Sequence, residues 1–134
     1  MLEKIIELTN EYIESMPKKE RKKYGQFFTS METARFMSGL YNIDEQKSKV
    51  SVLDAGAGSG ILSCAFIERL EMIDSIQKIE LTCYENDNNV LPLLKQNLDY
   101  CKEKSGKKID INIIEDNYIL SQYLDFNHMI GGND

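Results

Sequence analysis

The stretch V-S-V-L-D-A-G-A-G-S-G-I-L-S-C-A, from Val50 to Ala65, decides the fold of this chain. It starts with β-branched and apolar residues that suit an interior strand, and it ends with apolar residues at helical spacing. Between them lie Gly56, Gly58 and Gly60, which leave a turn without Cβ atoms, so that a ligand can lie against bare backbone. A strand, a glycine-rich turn and a helix in this order form the nucleotide-binding corner of a doubly wound α/β fold.

The residues in and beside this turn exclude some classes of ligand. A dinucleotide-binding fingerprint, G-x-G-x-x-G, needs glycine where this chain has Ile61, and a Walker loop needs a lysine that the turn lacks. Asp54, at the tip of the strand, would repel a pyrophosphate but attract a ligand that carries an ammonium and a sulfonium group. The other interpretation is a structural corner that binds no ligand.

Length and composition indicate one globular domain. The chain has 134 residues, of which 42% are hydrophobic and 28% charged, as in ordinary soluble proteins. No apolar run approaches the ~20 residues of a membrane helix and no signal-peptide pattern is visible, so we expect a cytoplasmic protein without membrane contact. The net charge of −6 argues against this domain alone wrapping a nucleic acid. One histidine and three scattered cysteines make a metal site a poor expectation.

Before the glycine turn, the sequence predicts two helices separated by a basic run. Apolar spacing indicates an amphipathic helix over residues 2–16, which Pro17 ends. The run K-K-E-R-K-K at 18–23 has two interpretations, a solvated connector, which the sequence favours, or a contact to nucleic-acid phosphates. Ser30 is expected to cap the second helix. The predicted apolar stripe of that helix consists of Ala34, Met37, Leu40 and Tyr41.

After the glycine turn, strands and helices are predicted to alternate. The expected elements are strands at 79–84 and 109–114, a helix at 87–104, a short helix at 119–124 and a fourth strand at 126–130. In a doubly wound fold an acidic residue at the tip of the second strand binds the ribose hydroxyls, and Glu85 is the candidate for that role. Asp87 could instead cap the following helix.

Four segments in this order resemble the motifs of S-adenosylmethionine-dependent adenine-N6 DNA methyltransferases of the gamma arrangement: G-Q-F-F-T, D-A-G-A-G-S-G, Y-E-N-D and E-D-N-Y. The resemblance implies S-adenosyl-L-methionine as cofactor, with Phe28 and Thr29 at its methionine end and Asp116 at its adenine amino group. Ser30 departs from the proline that the family usually has. The predicted cofactor-binding residues are Phe28, Thr29, Asp54, Gly56, Gly58, Gly60, Glu85, Asn86, Asp116 and Asn117.

The catalytic motif of that family, [N/D/S]-P-P-[Y/F], has no counterpart here. The two prolines are Pro17 and Pro92, so no Pro-Pro pair occurs and no catalytic residue is predicted. In the family this motif binds an adenine that has been flipped out of the duplex. We therefore expect a Rossmann-like methyltransferase fold with an incomplete doubly wound parallel sheet. Residues 1–41 would form an N-terminal helical segment, and residues 42–134 a cofactor-binding core truncated before the catalytic motif.

The resemblance thus implies the S-adenosylmethionine-binding portion of a site-specific DNA methyltransferase from a restriction–modification system, inactive by itself. Double-stranded DNA would bind through a C-terminal part that this sequence lacks, and an open sheet edge could join two copies. One alternative is an rRNA or protein-glutamine methyltransferase, since those families share the glycine turn. Another is a non-catalytic S-adenosylmethionine-binding or interaction module, which the acidic charge and the missing motif would suit.

Overall fold

The computed structural model describes residues 1–116, apart from the side chains of Gln26 and Phe27. The elements in this range are α1 (Leu2–Glu14), α2 (Lys18–Phe27), α3 (Met31–Gly39), β1 (Lys49–Asp54), α4 (Ile61–Glu71), β2 (Lys78–Tyr84), α5 (Leu91–Lys104) and β3 (Lys108–Ile114). Asn117 and the elements predicted at 119–124 and 126–130 lie outside the described residues. The division of the chain at residue 41 also remains a prediction.

The basic run belongs to a helix, so the prediction of a connector at 18–23 is wrong. α1 ends at Glu14, before the end predicted at residue 16, and Pro17 directly precedes α2 as its N-cap, with φ −56° and ψ 147°. Proline is well suited to the start of a helix because its φ is already near the helical value. Lysine, arginine and glutamate are good helix formers, which favours helix over connector in the residues that follow.

The third helix starts as predicted but buries a different face. The Oγ atom of Ser30 accepts a hydrogen bond from the Thr33 N–H at 3.2 Å, which confirms Ser30 as the N-cap. Ala34 and Ser38 are the buried residues of α3, and these small side chains let the helix lie close to α4. The predicted apolar stripe is therefore wrong in three of its four members. Met37, Leu40 and Tyr41 are 39%, 66% and 61% exposed.

The three described strands form a parallel sheet in the order β1-β2-β3. The connections run through α4 and α5, which gives two consecutive β-α-β units, the repeating unit of α/β folds. The central strand β2 buries Ile79, Leu81 and Cys83. Among the described strands β1 lies at an edge, where Leu53 is 52% exposed, and its prediction as an interior strand stays a prediction. The architecture is that of an incomplete Rossmann-like methyltransferase fold.

Within residues 1–116 the helices cover one face of the sheet, and the other face carries most of the charged side chains of the strands. The opposite face carries ion pairs between neighbouring strands, with Lys49 Nζ 3.0 Å from Glu80 Oε1 and Lys78 Nζ 3.2 Å from Asp110 Oδ2. The core lies between the buried face and the helices, and its largest fully buried side chains include Leu2, Ile5, Ile67, Leu70, Ile79, Leu81, Leu94 and Leu98. No helix in the described range has the length and hydropathy needed to span a membrane.

Candidate functional site

The glycine turn after β1 is held in a shape that depends on two left-handed backbone positions. Gly58 has φ 56° and Gly60 has φ 85°, values that side chains with a Cβ rarely tolerate. The turn is tied to the neighbouring strand, since the Ala57 N–H donates to the Tyr84 carbonyl oxygen at 3.0 Å. The turn therefore has one defined conformation at the carboxyl end of the sheet, where ligands of open α/β folds bind.

The two left-handed glycines lie against different neighbours. A Cβ added at Gly58 would lie 3.8 Å from the Phe28 ring, whereas one added at Gly60 would lie 2.9 Å from Leu94 Cδ1. Gly60 thus allows the close approach of α5 beneath the turn, and it does not line the cavity above it. Its predicted contact with a cofactor remains a prediction, because its observed contacts are with apolar side chains of α5.

A cavity lies between the glycine turn and the segment that follows α2. It brings together five of the ten predicted cofactor-binding residues, Phe28, Thr29, Asp54, Gly56 and Gly58. The other lining residues are Met37, Ala57, Ser59, Ile61 and Leu62. Segments that are 25 or more positions apart in the sequence, at 28–29 and 54–62, therefore face the same space. The lining combines one carboxylate and the hydroxyl residues Thr29 and Ser59 with bare backbone and apolar side chains.

Asp54 is partly buried at the end of β1, where a hydroxyl group orients its carboxylate. The Ser63 Oγ–H donates to Asp54 Oδ2 at 2.7 Å. Burial raises the pKa of Asp54, against the opposing effect of the hydrogen bonds from Ser63 and from the Gly56 backbone, and the nearby Glu85 carboxylate raises this pKa further. Sequence reasoning missed Ser63, although its place in the first turn of α4 puts it beneath the glycine turn. An ionised Asp54 would be stabilised by a cationic ligand group.

Glu85, at the tip of β2, stabilises the glycine turn through a hydrogen bond. Its Oε1 accepts a hydrogen bond from the Gly58 N–H at 2.8 Å. Its Oε2 accepts from the backbone N–H groups of Asn86 at 3.1 Å and Asp87 at 3.0 Å. A carboxylate has about four lone-pair sites, so these three bonds leave room for one more donor. Glu85 therefore has a structural role in the turn beside the ribose contact that the sequence predicts.

Asp87 connects the site to the N-terminal helices and does not cap α5. The N-cap of α5 is Val90, so the capping prediction and the predicted start of this helix at residue 87 are wrong. Asp87 Oδ1 accepts a hydrogen bond from the Asn89 N–H at 2.9 Å, which closes a turn. Because this turn precedes the helix, α5 begins only at Leu91. Asp87 Oδ2 accepts from the Tyr24 Oη–H at 2.8 Å, and the Tyr24 and Phe28 rings stack with centroids 6.0 Å apart. Sequence reasoning missed this role of Tyr24, whose only signal was its position before the G-Q-F-F-T segment.

The tips of β1, β2 and β3 carry one carboxylate each. Asp54 ends β1, Glu85 follows β2, and Asp116 lies two residues beyond β3. The Ile114 carbonyl oxygen accepts from both the Glu85 N–H at 3.1 Å and the Asp116 N–H at 2.8 Å, which keeps these two residues at the same edge of the sheet. Asn86 and Asp116 are exposed there, and Asn117 lies outside the described residues. Such an edge suits a ligand with a cationic group and several hydrogen-bond donors.

A buried amide supports the turn from below. Asn97 of α5 donates from Nδ2 to the Ser59 carbonyl oxygen at 2.8 Å and to Thr9 Oγ1 at 3.2 Å. Its Oδ1 has no hydrogen-bond partner among the described residues. Through Asn97 the turn is joined to α1 and α5. A fully buried polar residue of this kind fixes one arrangement of its neighbours, because shifting them would leave its donors unpaired.

Comparison with known proteins agrees with this geometry. Residues 6–122 match the model of the family described as N-6 DNA Methylase. The chain is 36% identical over 101 residues to the type II methyltransferase M.BsuBI of Bacillus subtilis, covering 75% of this chain and 19% of that protein. It is 33% identical over 103 residues to the type II methyltransferase M.PstI of Providencia stuartii, covering 74% and 20%.

The chain thus spans about a fifth of the length of these curated relatives. No solved structure matches it closely enough to count as similar. The matched family segment includes the cavity, the glycine turn and all three strand tips. The chain therefore belongs to the N-6 DNA methylase family.

Proposed function

We propose that this chain is the S-adenosyl-L-methionine-binding portion of a site-specific DNA adenine-N6 methyltransferase of a restriction–modification system. The observation that carries the proposal is the cavity in which Phe28 and Thr29 face Asp54 and the glycine turn. These groups are far apart in the sequence and match the cofactor-binding pattern of the family to which the chain belongs. The description of the matched family, N-6 DNA Methylase, favours DNA over rRNA or protein as the substrate.

Each group at the sheet edge has a chemical role in this proposal. The Asp54 carboxylate attracts the cationic end of the cofactor, and its hydrogen bond from Ser63 holds it in place. Phe28 covers the turn with an apolar face, and Thr29 offers a hydroxyl beside it. Glu85 accepts from a ribose hydroxyl with its remaining lone pair, while Asp116 and Asn117 contact the adenine base. The bound cofactor would supply an activated methyl group on a sulfonium.

We further propose that this chain alone transfers no methyl group. Transfer to an exocyclic amine needs acceptors for the protons of that amine, placed beside the methyl donor. The family supplies them from a motif with two adjacent prolines, and the two prolines of this sequence, Pro17 and Pro92, are far apart. The chain would act together with the remaining length that its relatives possess, which would also bring double-stranded DNA to the site.

Calorimetry with S-adenosyl-L-methionine tests the cofactor proposal. We expect saturable binding to the full chain, weakened about tenfold or more in Asp54→Asn because a charge-assisted contact is lost. Asp110→Asn is the matched control, since Asp110 lies on the polar face of the sheet and pairs with Lys78. Absence of heat at millimolar ligand would contradict the proposal. Equal weakening in both variants would show that Asp54 does not contact the ligand.

We also propose that the edge of β1, which pairs with no further strand among residues 1–116, joins two copies of this chain. An unpaired edge strand offers a row of backbone donors and acceptors. Leu53 on this strand is 52% exposed, and it shares an apolar groove with Tyr41, Phe66 and Leu62. Sedimentation should show a concentration-dependent dimer that Leu53→Lys abolishes and Met72→Lys, at another exposed apolar site, leaves intact. A monomer at every concentration would contradict self-association.

A further inference from the structure

Four lysines of α2 share one face of the helix. At ~100° per residue, Lys18, Lys19, Lys22 and Lys23 fall within an arc of about 140°. All four are exposed, and the centre of their arc lies about 170° from Tyr24, the buried residue of the helix. The remaining charged residues, Glu20 and Arg21, lie on the flanks. The lysine face, formed by Lys18, Lys19, Lys22 and Lys23, therefore points away from the protein.

The lysine face is electrostatically unfavourable in the free protein. The pairs Lys18–Lys22 and Lys19–Lys23 stand four residues apart, where like charges destabilise a helix. No ion pair within residues 1–116 includes a basic residue of α2. The segment 18–23 holds five cations and one anion in a chain whose net charge is −6. The segment 18–23 is thus strongly basic on a protein that is acidic as a whole.

The lysine face has a fixed position relative to the cofactor cavity. Tyr24, on the opposite side of α2, donates to Asp87 at 2.8 Å and stacks on Phe28, which lines the cavity. Lys23 is the member of the face nearest to this anchor, since its Nζ atom lies 5.2 Å from the Tyr24 ring centroid, and the other three lysines lie farther round the helix from Tyr24. A helix has a diameter of about 10 Å, and a polyanion on the lysine face would therefore run close to the site without entering it.

We infer that the lysine face of α2 binds the phosphate backbone of double-stranded DNA beside the cofactor site. The inference rests on the proposed function for the identity of the polyanion and on charge complementarity for the surface. Four exposed ammonium groups on one helix face suit a linear row of phosphates. Contacts of this kind position a protein on the duplex and carry no sequence information. α2 would thus hold the duplex near the methyl donor, while other groups choose the base.

Salt dependence is the signature of this interaction. Each phosphate that a lysine neutralises releases counterions, and log K falls with log salt by about 0.9 for each contact. The test measures binding of a fluorescent 20-base-pair duplex to the full chain between roughly 50 and 200 mM salt, the range in which such contacts are lost. The test variant is Lys18→Gln/Lys19→Gln/Lys22→Gln/Lys23→Gln. The control, Lys47→Gln/Lys102→Gln/Lys104→Gln/Lys108→Gln, removes the same charge from exposed lysines elsewhere.

We expect the test variant to bind the duplex at least about tenfold more weakly and to have a salt slope smaller by about 3 to 4, as the loss of four phosphate contacts requires. The control should retain most of the affinity and the slope. Absence of duplex binding by the unmodified chain, or equal losses in both variants, would overturn the inference. So would tighter binding to an RNA hairpin or to phosphatidylserine vesicles than to the duplex.

Calorimetry with S-adenosyl-L-methionine separates this inference from the proposed function. The test variant should bind the cofactor as the unmodified chain does, because the lysines project away from the cavity. Cofactor binding without any effect of the lysines on DNA binding would sink the inference and leave the proposed function standing. Loss of cofactor binding in the test variant would contradict the geometry on which the inference depends.

Discussion

Glu85 and Gly58, 27 residues apart, are joined by a hydrogen bond of 2.8 Å from the Gly58 N–H to the carboxylate. This bond links the tip of β2 to the glycine turn after β1, and the same carboxylate holds the start of its own loop through Asn86 and Asp87. A residue that the sequence predicts as a ligand contact therefore also shapes the glycine turn of the candidate site. Its removal should affect stability as well as binding.

Glu85→Ala should lower the free energy of unfolding by about 1–3 kcal/mol even without ligand, because three backbone donors lose their acceptor. Glu85→Gln keeps one carbonyl oxygen and should cost less. Chemical denaturation of the unliganded proteins measures both. Glu80→Ala is the control, because Glu80 is partly exposed on the polar face and its ion pairs are screened by water. An unchanged stability of Glu85→Ala would show that the Gly58 bond contributes nothing.

Gly60→Ala should destabilise the fold by about 1–3 kcal/mol, since the new Cβ adds strain at a left-handed position and overpacks a core contact. The Cβ would lie 2.9 Å from Leu94 Cδ1, at a residue with φ 85°. Gly25→Ala is the matched control, because Gly25 lies within α2 with no atom near its added Cβ, and alanine favours a helix there. Thermal unfolding should show opposite shifts. A Gly60→Ala protein as stable as the unmodified chain would contradict the close packing of α5.

Cofactor affinity should fall as pH is lowered through the range in which Asp54 becomes protonated, and this range lies above that of ordinary carboxyl groups because burial raises the pKa of Asp54. Burial raises the pKa of Asp54 in the unliganded protein, and the proposed ligand group is cationic, so only the ionised form attracts it.

Lowering the pH has the opposite effect on the folding stability of the unliganded protein. An acid whose pKa is raised on folding favours the native state more as pH falls through the folded pKa. Calorimetric titrations and unfolding curves over this range, compared with Asp54→Asn, isolate both effects. Affinity that stays level in the unmodified chain across the whole range would refute the role of Asp54.

The three thiols should react slowly with a water-soluble disulfide reagent at neutral pH in the native protein. Cys64, Cys83 and Cys101 are buried, and Cys64 and Cys101 lie with their Sγ atoms 2.8 Å apart. Burial raises the pKa of Cys83 to about 12, and the contact with Cys101 followed by burial raises the pKa of Cys64. Because the thiolate is the reacting form, all three should become reactive only on unfolding. Rapid modification of one thiol in the native protein would show that its packing is open.

Much of the fold could be predicted because its signals are local. The period of two in β2 and β3, the glycines after β1 and the serine before α3 each act within a few residues, so their elements appear where the sequence predicts them. The structure of the basic run at 18–23 was harder to predict, since its composition is typical of both a connector and a helix. The face of α3 could not be predicted from periodicity. Arg69, on α4, donates to the carbonyl oxygens of Ser38 and Tyr41 and so fixes which side of α3 is turned inward.

The sequence by itself determined the order of strands, turn and helices, and it put an acidic residue at the tip of each strand. Only the tertiary structure decided how those residues are used. Ser63 orients Asp54, Gly58 donates to Glu85, and Tyr24 reaches Asp87 across 63 positions. Backbone propensity and hydrophobic period act over neighbouring residues, whereas these bonds depend on how β1, β2 and α2 pack together. The same packing turned Gly60 toward α5 and left one lysine face of α2 directed at solvent.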